Sequence, residues 1–545
     1  MKNAKLLKWL MVKTKRRIPA LILLTVLSAA FAYLGVQFTL ATRTVIDSAT
    51  GANNTPFMQA VIVLVILIVL RIVSRVVCIH LNDKTLAKLD IDWKKQLTHT
   101  ILHGQYYTVS RYHSGELINR LTNDVNIVDN GLVSILPSLA TVVTRLVAAV
   151  IVMASLDAKF TLLVVCGGLA LVGGTALIRK LLKGMHKKVR EADGKLSSFL
   201  QEVIERLMIV QAMDVGDEVE RRSEVLLEER YALIRKRKNL SMCASTAVNI
   251  VCYVAEFVAL VWCAYRLLKG EITFGTLIAI TQLVGQLEAP FVNFSSFLPQ
   301  YIAMVASAER LKEIDDIESE VVTSIDGEKA YSELKSISAR DLCFSYDDGI
   351  ELVLDNLSFD IPKNTFTAIT GHSGIGKSTL LKLMLGIYPK DSGELYAQTN
   401  EKTELSRATR SLFAYVPQNN FLFSGTLKEN LLLIKPDATD EEIQNALHIS
   451  CMDEVVNNLP DGLDTVLGEN SAGLSEGQAQ RISIARAILC GAPILLLDEA
   501  TSSLDAKTEE KVLERIKALP ERTCIAVTHR PAAADIADIR LEFAK

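Results

Sequence analysis

Thr365-Phe366-Thr367-Ala368-Ile369-Thr370-Gly371-His372-Ser373-Gly374-Ile375-Gly376-Lys377-Ser378-Thr379 decides how the C-terminal half of this chain folds. The part from Gly371 to Ser378 fits Gly-x-x-x-x-Gly-Lys-Ser/Thr without a mismatch. The six residues ahead of Gly371 are β-rich and read as a strand, and Leu380 to Ile387 reads as the start of an apolar helix. A strand, a glycine-rich turn and a helix N-terminus together make a phosphate cradle. The glycines let backbone N–H groups turn inward, and the helix end adds partial positive charge. In such a cradle Lys377 reaches the β- and γ-phosphates and Ser378 holds Mg²⁺.

Working outward, the chain has 545 residues, more than one core holds, so two domains are expected. Half of the residues are hydrophobic and the mean hydropathy is +0.27. The formal net charge of −3 gives no bulk attraction to nucleic acid. Basic charge is concentrated at the N-terminus: Lys2, Lys5, Lys8, Lys13, Lys15, Arg16 and Arg17 occur before the first acid. None of the nine cysteines forms a Cys-x-x-Cys pair, so they read as reduced packing residues.

Six apolar stretches lie ahead of the cradle, at 18–42, 57–79, 131–156, 160–180, 242–266 and 272–300. Each reaches or exceeds the roughly 20 residues that a helix needs to cross a bilayer. The first is too long for a signal-peptide core and reads as an uncleaved membrane helix. The basic N-terminus predicts a cytoplasmic start, and six crossings return the C-terminal half to the cytoplasm, where ATP is. The external connections are then short, near 43–56, 157–159 and 266–271. The internal ones, roughly 80–130 and 181–241, are charged and helical in period, and predict extensions of the membrane helices. Arg71 and Arg145 interrupt the second and third stretches, and Glu256 and Glu288 lie in the fifth and sixth. Arg145, Glu256 and Glu288 are candidates for a polar path, because charge in a bilayer is costly. Pro290 predicts a kink in the sixth helix.

The second half carries Ile494-Leu495-Leu496-Leu497-Asp498-Glu499, an apolar strand ending in two carboxylates. Asp498 reads as the residue holding the Mg²⁺ shell, and Glu499 as the group that polarises water against the γ-phosphate.

Leu474-Ser475-Glu476-Gly477-Gln478, followed by Arg481-Ile482-Ser483-Ile484-Ala485-Arg486-Ala487, resembles the LSGGQ signature and helix of ABC transporter ATPases. The resemblance covers essentially the whole chain. Gly115-Glu116-Leu117-Ile118-Asn119-Arg120-Leu121-Thr122-Asn123-Asp124-Val125 is similar to the G-E-L-x-x-R-L-x-x-D segment of six-helix, domain-swapped ABC exporters. Residues 202–212 resemble their second coupling region, and Ala308-Glu309-Arg310 their S-A-E-R. It implies an N-terminal all-α transmembrane domain (1–312), a linker (313–336) and a C-terminal α/β P-loop NTPase domain (337–545).

Residue by residue, the resemblance gives Tyr346 as the aromatic that stacks on adenine. Gly371, His372, Ser373, Gly374, Ile375, Gly376, Lys377, Ser378 and Thr379 form the phosphate loop. Gln418 matches the Q-loop glutamine that senses Mg²⁺, Asp505 closes the D-loop, and His529 matches the switch histidine. Ser475, Gly477 and Gln478 correspond to the nucleotide-contacting signature, which in the family faces the phosphate loop of a second chain. Glu499, His529 and Gln418 are then the catalytic candidates; Ser378, Gln418 and Asp498 are the Mg²⁺ candidates. ATP and Mg²⁺ are the implied cofactors, a second half-transporter the implied partner, and the plasma membrane the implied location. Lipid, peptide and small molecules remain open as substrate. A homodimer, a heterodimer and an ATP-gated channel of the same fold also remain open, whereas six apolar stretches argue against a soluble ABC ATPase acting on nucleic acid.

Two departures stand out. Glu476 replaces the first glycine of the signature, and 468–471 keeps part of the exporter G-E-R-G pattern. Ser475 with Gln478 three residues later predicts a capping box, which places Glu476 in the first helical turn, pointing away from nucleotide. The signature is therefore expected to be active. The 16 residues after His529 suggest no C-terminal dimerisation element, and the N-terminus suggests no preceding peptidase-like domain.

Overall fold

The computed structural model describes residues 2–319, 325–346, 352–419, 422–468 and 473–543, with side chains left undescribed at 2–3, 169–172, 174–182, 288–296 and 298. The chain divides into two compact units: Met1–His99 with Ser114–Asp315, and Thr100–His113 with Asp316–Lys545.

The first unit is helical. Its long helices are Ile18–Ala49, Phe57–His103, Val125–Leu156, Ala158–Glu205, Gly216–Leu268 and Phe274–Asp315. Each carries one of the six apolar stretches, the sixth from Phe274 onward, and helix runs on through most of the charged stretches, with breaks after His103 and Glu205. Four are long and apolar enough to cross a membrane over their described residues, and the other two show apolar runs at Ala158–Gly168 and Phe274–Leu287. A helix satisfies its backbone groups internally, which is what a lipid environment demands. All nine cysteine sulfurs are unbridged.

Polar contacts pin the helix ends. Asp157 caps Ala158–Glu205 by accepting from the Lys159 and Phe160 N–H groups, both at 3.1 Å, and also takes the Trp262 indole N–H at 3.0 Å. At the other end a single π turn, Arg120–Asp124, turns two charged side chains inward. The Arg120 guanidinium donates to the Arg310 carbonyl at 2.8 Å, to Glu313 at 2.9 Å and to Glu116 at 2.6 Å. Asp124, 1% exposed, takes Arg310 Nε at 2.7 Å and its Nη2 as well. The two exporter-like segments thus meet in one ion network. It ties the start of the third long helix to the end of the sixth.

The Arg71 guanidinium lies over the Phe38 ring at 5.1 Å and the Phe31 ring at 5.8 Å. Glu256 borders a small cavity of about 120 Å³ that is otherwise lined by apolar groups such as Phe160, Val164 and Leu287. The side chains of Glu288 and Pro290 lie outside the described residues.

The second unit is α/β. Its strands are β1 (Ser336–Phe344), β2 (Leu354–Pro362), β3 (Phe366–Gly371), β4 (Ser392–Gln398), β5 (Lys402–Glu404), β6 (Phe413–Val416), β7 (Gly425–Thr426), β8 (Val466–Leu467), β9 (Ile494–Asp498), β10 (Thr523–Val527) and β11 (Ile539–Phe543). A parallel sheet runs β11-β3-β10-β9-β6, and a second, antiparallel sheet runs β2-β1-β4-β5. β9 and β10 are buried along their whole length, as the central strands of a covered parallel sheet must be. The segment Thr100–His113 belongs to this unit: its short helix Tyr106–Val109 places Tyr106 and Tyr107 edge-on to Tyr388, at 5.8 and 6.2 Å.

One buried charge in the first unit has a measurable consequence. Asp129, just outside the 131–156 stretch, is 1% exposed and neither carboxylate oxygen has a hydrogen-bond partner. Burial, then the nearby Asp90 charge, push its carboxyl up to about 8; Lys94 opposes and Asp92 adds to the rise. Its folded-state affinity for a proton exceeds the unfolded one. Stability therefore falls as pH rises from about 4 to about 8. Asp129→Asn should flatten that decline, seen as a thermal midpoint in detergent that no longer drops between pH 5 and pH 8; an unchanged slope would remove Asp129 as its source.

Candidate active site

The phosphate loop leaves the C-terminal end of β3 and enters the helix Lys377–Met384. Gly376 adopts φ 101°, and a Cβ there would come within 2.8 Å of Leu354, so glycine is required twice over. Lys377 is 5% exposed, and its ammonium donates to the Gly371 and His372 carbonyls at 3.0 and 2.8 Å. Burial lowers its proton affinity, while Glu499 and Asp498 counteract that. His372, Ser373 and Gly374 are exposed around the loop, and Ile375 packs inward beside them.

At the end of β9, Asp498 is 2% exposed. Its two oxygens are both engaged: Ser378 Oγ donates to one at 2.6 Å and the Tyr415 hydroxyl to the other at 3.0 Å. Burial raises its pKa, and the Ser378 and Tyr415 hydrogen bonds pull it back. A buried carboxylate beside a serine hydroxyl is a hard-oxygen donor set, which suits Mg²⁺. Among the described residues no group of three or more His, Cys, Asp or Glu side chains forms a metal cage. A cation held by Ser378 and Asp498 would take its remaining oxygens from outside this pair, from water or phosphate.

Glu499 follows with φ 50°, a left-handed conformation that costs a non-glycine residue about 1 kcal/mol. Its N–H donates to the Val527 carbonyl at 3.0 Å, and its own carbonyl accepts from Gln480 Nε2 at 3.1 Å. Held this way, its carboxylate meets His529 Nε2 at 3.1 Å and Gln418 Nε2 at 2.9 Å. Strain held in place by two backbone bonds is what a functional position shows.

Tyr346, beside this cluster, hydrogen-bonds through its hydroxyl to Thr379 Oγ1 at 2.9 Å and stands edge-on to Phe344 and Tyr388. An aromatic chain therefore runs from Tyr106 and Tyr107 through Tyr388 to Tyr346.

The signature residues start the helix Glu476–Leu489. The capping box forms as the sequence predicts: Ser475 N–H donates to Gln478 Oε1 at 2.9 Å, and Gln478 N–H to Ser475 Oγ at 3.2 Å. Glu476 lies in the first turn, where its carboxylate accepts from Ser503 Oγ at 2.9 Å. Asp505 caps the helix Ala506–Lys517 by accepting from Thr508 N–H at 3.0 Å. Among the described residues no hydrogen bond joins the signature to the phosphate loop of the same chain.

The sequence reading missed Tyr415, Gln480, Glu509 and Arg530. Arg530 donates to the Leu504 carbonyl at 2.6 Å, to the Ser502 carbonyl and to the buried Glu509 at 2.9 Å. Gln480 sits 1% exposed among the buried Ala479, Ile482 and Ile484 of the signature helix.

This geometry defines a class: a P-loop ATPase fused to a bundle of apolar helices. The family description "ABC transporter transmembrane region" matches residues 20–291, and "ABC transporter" matches 354–502. The chain belongs to the ABC transporter family, as a multi-pass membrane protein of the half-transporter type with an exporter fold. A solved structure of a bacterial Atm1-family ABC exporter with ATP bound is similar at a TM-score of 0.76 and 22% identity, over 97% of this chain and 94% of the other. An uncharacterized ABC transporter ATP-binding protein of Bacillus subtilis is 28% identical over 96% of this chain and 87% of its own. An ATP-dependent lipid A-core flippase of Vibrio vulnificus is 28% identical over 78% of this chain and 73% of its own. A Staphylococcus aureus protein named for multidrug export is 28% identical over 84% and 80%.

Tyr415→Phe tests the Asp498 environment. Loss of one donor raises the Asp498 pKa further, so the acid limb of ATPase activity should move to higher pH. The plateau should fall by no more than about fivefold, the worth of one hydrogen bond. A pH profile superimposable on the wild type would exclude this contact from the active state.

Proposed function

We propose that this chain is half of a dimeric exporter of the plasma membrane, in which ATP binding closes two nucleotide domains and hydrolysis resets them. The observation that carries the reading is the Glu499 carboxylate held between His529 and Gln418, next to the Ser378–Asp498 pair. In this reading Glu499 polarises the attacking water, and His529 and Gln418 fix its direction. Lys377 and the loop N–H groups of residues 371–379 cradle the phosphates, and Ser378 and Asp498 hold Mg²⁺, with Gln418 beside them. Tyr346 stacks on adenine. Ser475, Gly477 and Gln478, with Asp505 behind them, complete the ATP site of the second chain. The transmembrane domain takes 1–312, the linker 313–336 and the ATPase domain 337–545. Relatives named for lipid A-core flipping and for multidrug export support an amphipathic or lipid-like substrate. The basic N-terminus supports a cytoplasmic ATPase side.

Glu499→Gln should retain nucleotide binding and lose turnover by about 100-fold or more, since a neutral amide is a poor base. Lys377→Ala should instead weaken nucleotide binding itself. Turnover near wild type in Glu499→Gln would refute the assignment.

Topology gives a separate check. A cysteine placed at Asn53 should react with an impermeant thiol reagent on intact cells, in a background freed of native cysteines, and one at Asp437 should not. The opposite labelling pattern would invert the proposed orientation.

A further inference from the structure

Side chains from two elements hold the D-loop, residues 502–505. From the signature helix, Gln480 Oε1 accepts the Ser503 N–H at 3.0 Å, and Gln480 Nε2 reaches Ser502 Oγ at 3.2 Å. One turn earlier on the same face, Glu476 takes the Ser503 hydroxyl at 2.9 Å. Between them, Gly477 lies so close that a Cβ would meet the Ser503 carbonyl at 2.8 Å. From the other side, Arg530 holds the Ser502 and Leu504 carbonyls while paired with Glu509. Gln480 holds the Ser503 N–H and the Ser502 hydroxyl, Arg530 holds two D-loop carbonyls, and Glu476 adds the Ser503 hydroxyl. In this chain a carboxylate stands where the signature pattern has glycine, and glycine has no atom to offer Ser503.

We infer that Glu476 is a positioning residue for ATP turnover: it locks the D-loop to the signature helix of its own chain, so that both reach the second chain's nucleotide as one rigid surface. The same hydrogen bond occupies its carboxylate on the side of Ser503. Negative charge is thereby kept from Ser475 and Gly477, the stretch that faces phosphate, and the helix N-terminus further stabilises it in place. The inference rests on the ATPase reading above and adds to it a residue outside the family pattern.

The test uses the full-length chain in lipid nanodiscs, with kcat and KM for MgATP and the thermal midpoint measured for each variant. Glu476→Gly and Ser503→Ala should each lower kcat by about three- to tenfold, the loss of one charge-assisted hydrogen bond at an exposed site, with KM unchanged. The double variant should be no slower than the slower single. Glu476→Gln, whose amide oxygen still accepts from Ser503, should stay within about twofold. Thermal midpoints should shift by no more than about 2 °C, because surface changes of this kind cost little stability. Full or increased kcat in Glu476→Gly, losses that multiply in the double variant, or a midpoint drop that tracks the activity loss would each overturn the role. Glu499→Gln, run alongside, separates the two levels. If it is inactive, those outcomes overturn only the positioning role; if it turns over normally, the ATPase reading falls first.

Discussion

A carboxylate at the end of an all-apolar strand is an expensive thing to bury, and the ATP unit is arranged around that cost. Asp498 ends β9, whose residues are all buried, and an unpaired charge in such a place would be expelled or protonated. Two hydroxyls resolve the problem, from Ser378 on the phosphate-loop helix and Tyr415 on the neighbouring strand β6. Satisfying one charge therefore fixes the loop, the central strand and the approach to Gln418 relative to one another. Glu499 is the next residue along, and its left-handed backbone aims its carboxylate where β9 alone would not.

The helical unit solves the same problem at its polar end. Asp124 and Arg120 are almost fully buried, and the single π turn brings both to face Arg310 and Glu313. Removing one member of such a network leaves an uncompensated buried charge, which is far costlier than the intact set. The two segments that resemble exporter motifs in sequence are, physically, the two sides of this one contact.

The sequence was most legible where a local rule suffices. Apolar length marked all six long helices, the glycine spacing marked the phosphate loop, and Ser475 with Gln478 marked the capping box, which forms as drawn. It was least legible where a role depends on a distant partner. Arg530 and Gln480 are unremarkable in the linear chain and become D-loop anchors only when β9, β10 and the signature helix are packed together. Glu476 was legible in half: its place in the first turn follows from the cap, whereas its hydrogen bond to Ser503 needed the fold. Asp505 serves as a helix cap, a use its resemblance to the D-loop did not suggest.

The short helix Tyr106–Val109 packs on Tyr388 within the ATP unit, although most of that unit is made from the far end of the chain. During synthesis this loop leaves the ribosome hundreds of residues before its partners exist. At roughly 5–20 residues per second the wait is on the order of tens of seconds. Tyr106 and Tyr107 must wait for Tyr388 over that interval, with Tyr107 meanwhile held by the nearby Arg111. Assembly of the ATP unit is thus a late event that closes a very long loop of chain. An excised C-terminal fragment would begin life without a piece of its own surface.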